Sequence, residues 1–390
     1  MRANWTTLGL LALLILLVAA VGFVGNTPTE RFAIDTMISL VFVIGLSIFS
    51  GNSGVLSFGH AGFAAIGGYA AAWITIPLIP RKLFLPDLPA IFTNIEAGLF
   101  GGLALGIALA ALAAMVIGIA VIRLNGIAAS IATLAWLVIV YSVFSNTQQL
   151  TKGTASLVGL PLLIDLPVAT AIALSALFVA FVFQRSQTGL MLQASREDEA
   201  AAAASGINVR MVRYAAFVLS AMVVAASGVM QGHFLGVLSV GQFWLQLTFL
   251  TLAMLVIGGL RSLSGAVIGA VVLSGVAEPL RLLSGGFEVA GFAIPSLPGL
   301  REVALAVIML AALILALLDP AVGLPGFAPL GRKLVDQGLG IGFKMGHACH
   351  FGGGLAGWMV GRWILRPRIT LERLRRDRAR REANGSQRMD

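Results

Sequence analysis

Charge is scarce in this chain. Only 11% of its 390 residues are Asp, Glu, Lys or Arg, against about 25% in a soluble globular protein, and the mean hydropathy is +0.95. A soluble fold is excluded, and several apolar runs of about 18 residues or more identify an integral membrane protein. Those runs lack polar–apolar alternation, which excludes the strands of an outer-membrane barrel. Cys349 is the only cysteine, so there is neither an internal disulfide nor a cysteine-rich metal site, and no metal is expected. No Gly-x4-Gly-Lys-Ser/Thr loop occurs, so this chain does not bind ATP in that way, and no cofactor is expected on it.

The charge that is present is concentrated. From Arg362 onward ten arginines face Glu372, Asp377, Glu382 and Asp390. Basic residues beside a membrane span follow from the positive-inside rule and from anionic lipid, and nucleic acid is not an expected partner. Apolar runs at residues 8–24, 34–49, 97–122, 126–144, 163–183, 214–234, 244–257 and 303–318, with the glycine-rich segment 51–73 and a run ending near Leu283, predict an all-α, polytopic inner-membrane bundle of about ten spans. The first run is long and its Ala19-Ala20-Val21 is a poor cleavage site, so it is expected to remain as an uncleaved span. With the N-terminus inside, Gly51–Gly54, Arg123, the loop at 185–213, Arg261 and Arg332-Lys333 fall in the cytoplasm. Arg81 and Lys82 are the main exceptions.

Two stretches stand out. In 51–73, GNSGVLSFGHAGFAAIGGYAAAW, small residues allow close helix packing. Glycine with Asn52, Ser53, Ser57 and His60 permits a broken helix, tolerated only where it is buried in protein or lines a cavity. His60 reads either as a functional group or as a histidine bonded to a neighbouring helix. The other stretch, 185–213, is the polar interruption between two spans. Its Arg196, Glu197, Asp198 and Glu199 precede an alanine run, Ala200 to Ala204, that ends in Ser205-Gly206-Ile207-Asn208. Acids before a run of helix formers and glycine after it predict a short capped helix.

Both stretches resemble permease subunits of ABC importers of the branched-chain amino acid (amide and urea) type. SREDEAAAAASGINVR is similar to that family's cytoplasmic coupling loop, one residue longer between Glu199 and Gly206 than the general motif. Gly51, Gly54, Ser57, Gly59, His60 and Ala61 match its Gly-x-x-Gly-x-x-Ser-x-Gly-His-Ala segment, followed by Gly62. ATLAW and the Leu150-Thr151-x-Gly153 stretch also fit. Gly258, Gly259 and Gly265 match a third glycine segment, which departs from the family at Arg261, where glycine is expected. The resemblance covers residues 34–325. It implies a permease domain over 1–330, two separate ABC ATPase subunits, a second homologous permease, a periplasmic solute-binding protein and lipid around the bundle. The coupling loop would meet the ATPase, and the glycine-lined helices would pack at the translocation path.

Residues 331–390 depart from that family, as a hydrophobic segment followed by a basic tail. HACHFGGGLAGWMVGRW resembles the last helix of rhomboid proteases, and Gly51-Asn52-Ser53-Gly54 fits their Gly-x-Ser-Gly. A rhomboid-like serine protease using Ser53 and His350 is therefore one alternative. An ion-coupled secondary transporter is another, for which Asp35 and Glu278 are the candidate acids, both expected near span ends. Opposing clusters around 338–360 predict that this segment dips into or lies along the cytoplasmic face.

Overall fold

In lipid each backbone polar group must find its partner within its own segment, so the apolar runs fold as helices. A computed structural model of the chain describes residues 5–86, 88, 89, 92, 95–284, 287–289 and 292–294, and the isolated positions 303, 307 and 310. The helices are α1 (Trp5–Val24), α2 (Thr27–Leu46) with a π-helical turn (Ser47–Gly51), α3 (His60–Thr75), α4 (Leu78–Phe84), α5 (Leu99–Val121), α6 (Gly126–Asn146), α7 (Leu166–Arg185), α8 (Gln187–Glu197), α9 (Glu199–Ala204), α10 (Val209–Leu235), α11 (Leu245–Gly258) and α12 (Leu263–Ser284). Among the described residues, seven helical stretches are long and apolar enough to cross a membrane. The protein is an all-α, multi-pass membrane protein. The run expected at 303–318, apart from its three isolated positions, and the whole of 331–390, with His350, lie outside the described residues.

Two short antiparallel ribbons interrupt the helices. In one, β1 (Leu157–Val158) pairs with β2 (Val237–Leu238), Leu157 opposite Leu238. In the other, β3 (Phe287–Val289) pairs with β4 (Phe292–Ile294).

At the centre lies α10, packed on α2, α3 and α5. α1, α2 and α7 form a layer beside it, and the α11–α12 hairpin leans on α2. α1 is peripheral and α2 internal: 17% of the apolar window is buried in the first and 83% in the second. Small residues allow the close crossings. A Cβ on Gly67 would stand 2.5 Å from the Ala225 carbonyl, and one on Gly68 would stand 2.9 Å from that of Gly228. On α5, Gly102, Gly106, Ala110, Ala114 and Gly118 recur every fourth residue and are all buried. Gly98, one step before that stripe, caps the helix and has open space beside its α-carbon.

One boundary corrects the sequence reading. α2 starts at Thr27, with Asn26 at the cap and Pro28 in the first turn, so the stretch Thr27–Gly51 runs 25 residues. That is roughly 37 Å against a hydrocarbon core of about 30 Å. Glu30 and Arg31 occupy the overshoot, and Asp35 lies two turns inside the helix, not at its edge.

Candidate functional site

Membrane helix α2 does not run straight into α3. After the π-helical turn the chain is non-helical from Gly54 to Gly59, and a break in lipid is stable only if its freed amides and carbonyls are paired. Side chains do that here. Asn52 Nδ2 donates to the Ser47 and Ile48 carbonyls at 3.2 and 3.0 Å, closing the end of α2. The Val55 amide donates to Ser53 Oγ at 3.2 Å, Ser57 to Ser50 Oγ at 3.3 Å, and Phe58 to Thr133 Oγ1 at 3.1 Å. Ser130 Oγ donates to the Leu56 carbonyl at 2.6 Å. Beyond the break every residue of α3 except Ile66 is buried, although at 16 residues the helix is too short to span alone.

His60 opens α3 and is 1% exposed. Its Nδ1 lies 2.7 Å from Ser57 Oγ, and its Nε2 lies 2.7 Å from Ser220 Oγ on α10. Ser220 gives its single hydroxyl hydrogen to the Gly45 carbonyl at 2.6 Å. Ser220 therefore accepts from His60 Nε2–H, which leaves Nδ1 to accept from Ser57. Both ring nitrogens are thus used, and Phe49, Phe63 and Phe217 surround the ring. The arrangement pins α3 to α2 and α10. Ser220, which completes it, was not singled out in the sequence, where it is one serine in an apolar run. Of the neighbouring glycines, Gly59 is the tighter: a Cβ there would stand 2.6 Å from the Thr133 carbonyl, whereas at Gly62 the nearest atom, Trp136 Nε1, is 3.3 Å away.

The polar loop holds two helices where one was expected. Ser186 caps α8 by accepting from the Gly189 amide at 3.1 Å, so Arg196 and Glu197 end α8 and do not begin the alanine helix. Asp198 is the shared joint: its Oδ1 accepts from the Ala201 amide at 3.0 Å and caps α9. Gly206, at φ +82°, closes α9. Its amide donates to Ala203 and that of Ile207 to Ala202, at 3.0 and 3.1 Å, the paired bonds of a glycine-terminated helix. Asn208 then caps α10 by accepting from Met211 at 3.2 Å. Ala200 is exposed, and Ala202 is the one residue of α9 that is buried. Glu199 ties the helix down through Arg213, Oε2 to Nη2 at 2.9 Å, and Arg213 Nη1 also donates to Asn125 at 2.7 Å.

The fold brings the three glycine-marked segments together. Arg196 Nη1 donates to the Gly51 carbonyl at 2.7 Å, and Gln193 Nε2 to Asn52 Oδ1 at 3.0 Å. Gly54, at φ +74°, lies under the Arg196 side chain, where a Cβ would stand 2.8 Å from Cγ. Glu197 pairs with Arg196 at 2.9 Å and stands 3.9 Å from Arg261 in the turn after α11. The Arg196 hydrogen bond, more than the charges of Arg196 and Arg261, holds the Glu197 carboxyl below the usual carboxylate range. Gly259, at φ +106°, makes that turn, and Gly258 and Gly265 pack backbone to backbone, the place of a Cβ on each being filled by the other's carbonyl.

Among the described residues no group of three or more His, Cys, Asp and Glu gathers to hold a metal. Among the described residues Ser53 accepts only the local Val55 contact given above, and the protease alternative's partner His350 lies outside the described residues. Asp35 and Glu278 each have an interaction partner.

A profile of the family "Branched-chain amino acid transport system / permease component" matches residues 28–318. Over 308 residues the chain is 28% identical to the high-affinity branched-chain amino acid transport system permease protein LivM of Escherichia coli K12, covering 68% of this chain and 66% of that protein. It is 27% identical to LivM of Salmonella typhimurium LT2 over 309 residues, 67% of this chain and 66% of the relative. The matched stretch therefore spans just under two thirds of each relative's length. No solved structure matches the chain.

Proposed function

The chain belongs to the family of branched-chain amino acid transport system permease components, and from that premise we propose that it is the permease subunit of an ABC importer. It would move branched-chain amino acids, or related small amino acids and amides, across the bacterial inner membrane. The observation that carries this reading beyond membership is α9: a short helix, capped by Asp198 and closed by Gly206, exposed on a polar loop between α7 and α10. Six residues with one buried side chain gain little from burial, and a helix that short is marginal alone. Its caps and the Glu199–Arg213 pair preset its shape for a partner.

In this reading two ATPase subunits bind the exposed loop and supply the work of ATP hydrolysis. A second, homologous permease completes the path, and a periplasmic binding protein delivers the solute. ATP binding and hydrolysis would then belong to those ATPases and not to this chain. Ten spans place both termini in the cytoplasm, with 1–330 as the permease domain and 331–390 as an extension. Transport follows by alternating access, the ATPases closing on ATP and carrying α9 with them.

The test is co-expression with candidate ABC ATPases, a second permease and a binding protein from the same genome. Affinity capture of this chain should retain the ATPases. Glu199→Lys, which leaves Arg213 facing a like charge, should insert normally but release them and abolish ATP-dependent uptake. A Glu199→Lys variant that held the ATPases and transported as the parent does would overturn the assignment of the loop.

A further inference from the structure

The cytoplasmic loop does not merely lie near the broken helix; its side chains close the break. The Gly51 carbonyl is at the C-terminal end of α2, where the helix dipole and the orphan carbonyls favour a cation, and Arg196 supplies it. Next to it, Asn52 uses its amide nitrogen on the α2 carbonyls and its amide oxygen on Gln193. Arg196 is itself held by Glu197, whose other neighbour is Arg261. Gln193, Arg196 and Glu197 all come from the C-terminal half of α8. A five-residue π-helical turn adjoins them, and such turns recur at functional sites. A Cβ on Gly51 would stand 2.8 Å from the Leu260 carbonyl, so the break, α8 and the α11–α12 turn form one contact.

We infer that Arg196, assisted by Gln193, is a positioning residue for transport: a latch through which movement of the cytoplasmic loop sets the break between α2 and α3. The inference rests on the permease reading above and goes beyond it. α9 serves attachment of the ATPase, whereas α8 converts its displacement into a change at Gly51–Gly54. Attachment and transmission then separate by residue. Arg261, the one departure from the family's glycine pattern, belongs to the latch, since it extends the Arg196–Glu197 pair to the neighbouring turn.

The experiment uses the complete transporter in proteoliposomes and reads three quantities: ATPase retained on capture of this chain, ATP hydrolysed, and solute taken up. Arg196→Ala and Gln193→Ala should retain the ATPases and hydrolyse ATP, with uptake per ATP reduced about tenfold for arginine and less for glutamine, as expected for losing a charged and a neutral hydrogen bond. Arg196→Lys, whose ammonium still reaches a carbonyl, should recover most of the ratio. Gln193→Ala removes one partly buried bond and should fold even if Arg196→Ala does not insert. Unchanged uptake per ATP in Gln193→Ala and Arg196→Lys together with Arg196→Ala, or with that variant uninserted, overturns the latch. So does loss of ATPase retention in parallel with uptake, which would make Arg196 a docking residue. If the unaltered chain retains no ATPase, it is the permease reading that fails.

Discussion

Replacing Gly67 by alanine should loosen the bundle at its centre. The added methyl would meet the Ala225 carbonyl oxygen at 2.5 Å and the carbon atoms behind it at 2.9 Å. These are backbone atoms, so no rotamer change relieves the contact. The oxygen distance is about 0.9 Å short of ordinary van der Waals contact, so α3 and α10 must part by roughly that much. A gap of 0.5–1 Å forfeits about a quarter to a half of each carbon–carbon contact of ~0.1–0.2 kcal/mol. Over roughly thirty pairs along the seam that is ~1–3 kcal/mol, the range found for overpacked sites. Alanine's helix preference over glycine offsets up to about 1 kcal/mol, leaving a net loss of up to about 2 kcal/mol. Gly9→Ala is the matched control, since nothing lies within 4 Å of its Cβ position, and it carries the offset alone. The assay is the fraction of purified protein in detergent that stays monodisperse after stepwise heating. Gly67→Ala should lose half its signal several degrees below the parent, and Gly9→Ala at or above it. Coincident curves for the two variants would refute the packing argument.

Three further outcomes follow from the site. Gly206 has φ +82° and open space around its Cβ position, so Gly206→Asn should cost little and Gly206→Val about 1–2 kcal/mol, read from the same heating curves. Loss of uptake in Gly206→Val at a temperature where the protein is intact would then report on docking. Thr133→Val keeps the shape but leaves the Phe58 amide without its acceptor; that should cost about 1–3 kcal/mol, and an unshifted heating curve would show that the break does not need this bond. The depressed Glu197 carboxyl is a group whose contribution is present above its unfolded pKa and lost as pH falls through its lower folded pKa. The heating curves of Glu197→Gln and the parent should therefore differ by a constant amount from about pH 8 to 5 and converge in acid. A difference that grows on acidification would contradict the pairing with Arg196.

Much of the fold was legible because lipid imposes length and composition on a span, so that α5, α6 and α7 begin and end within a few residues of their apolar runs. The break before α3 was legible too, since glycines with Asn52, Ser53 and Ser57 mark a backbone that needs polar side chains. So was α9, whose cap and stop signals are local. α8 was not. Its sequence, QTGLMLQASRE, mixes polar and apolar residues, and only Ser186, three before Gly189, marks its start. The tie between Gln193 and Asn52 joins residues 141 apart, and that between Ser220 and His60 joins residues 160 apart. No local pattern announces such partners. Asp35 was misplaced because hydropathy discounts the polar first turns of α2, which a helix longer than the bilayer core carries beyond it.

The most direct measurement is ATP-driven uptake of radiolabelled leucine by proteoliposomes containing this chain with the proposed ATPases, second permease and binding protein. Vesicles with the full set should accumulate leucine only with ATP inside, the face the ATPases occupy in right-side-out vesicles, and omission of this chain alone should remove the uptake. Leucine uptake that persists without this chain, or fails with every component present and assembled while the ATPases turn over, would contradict the account.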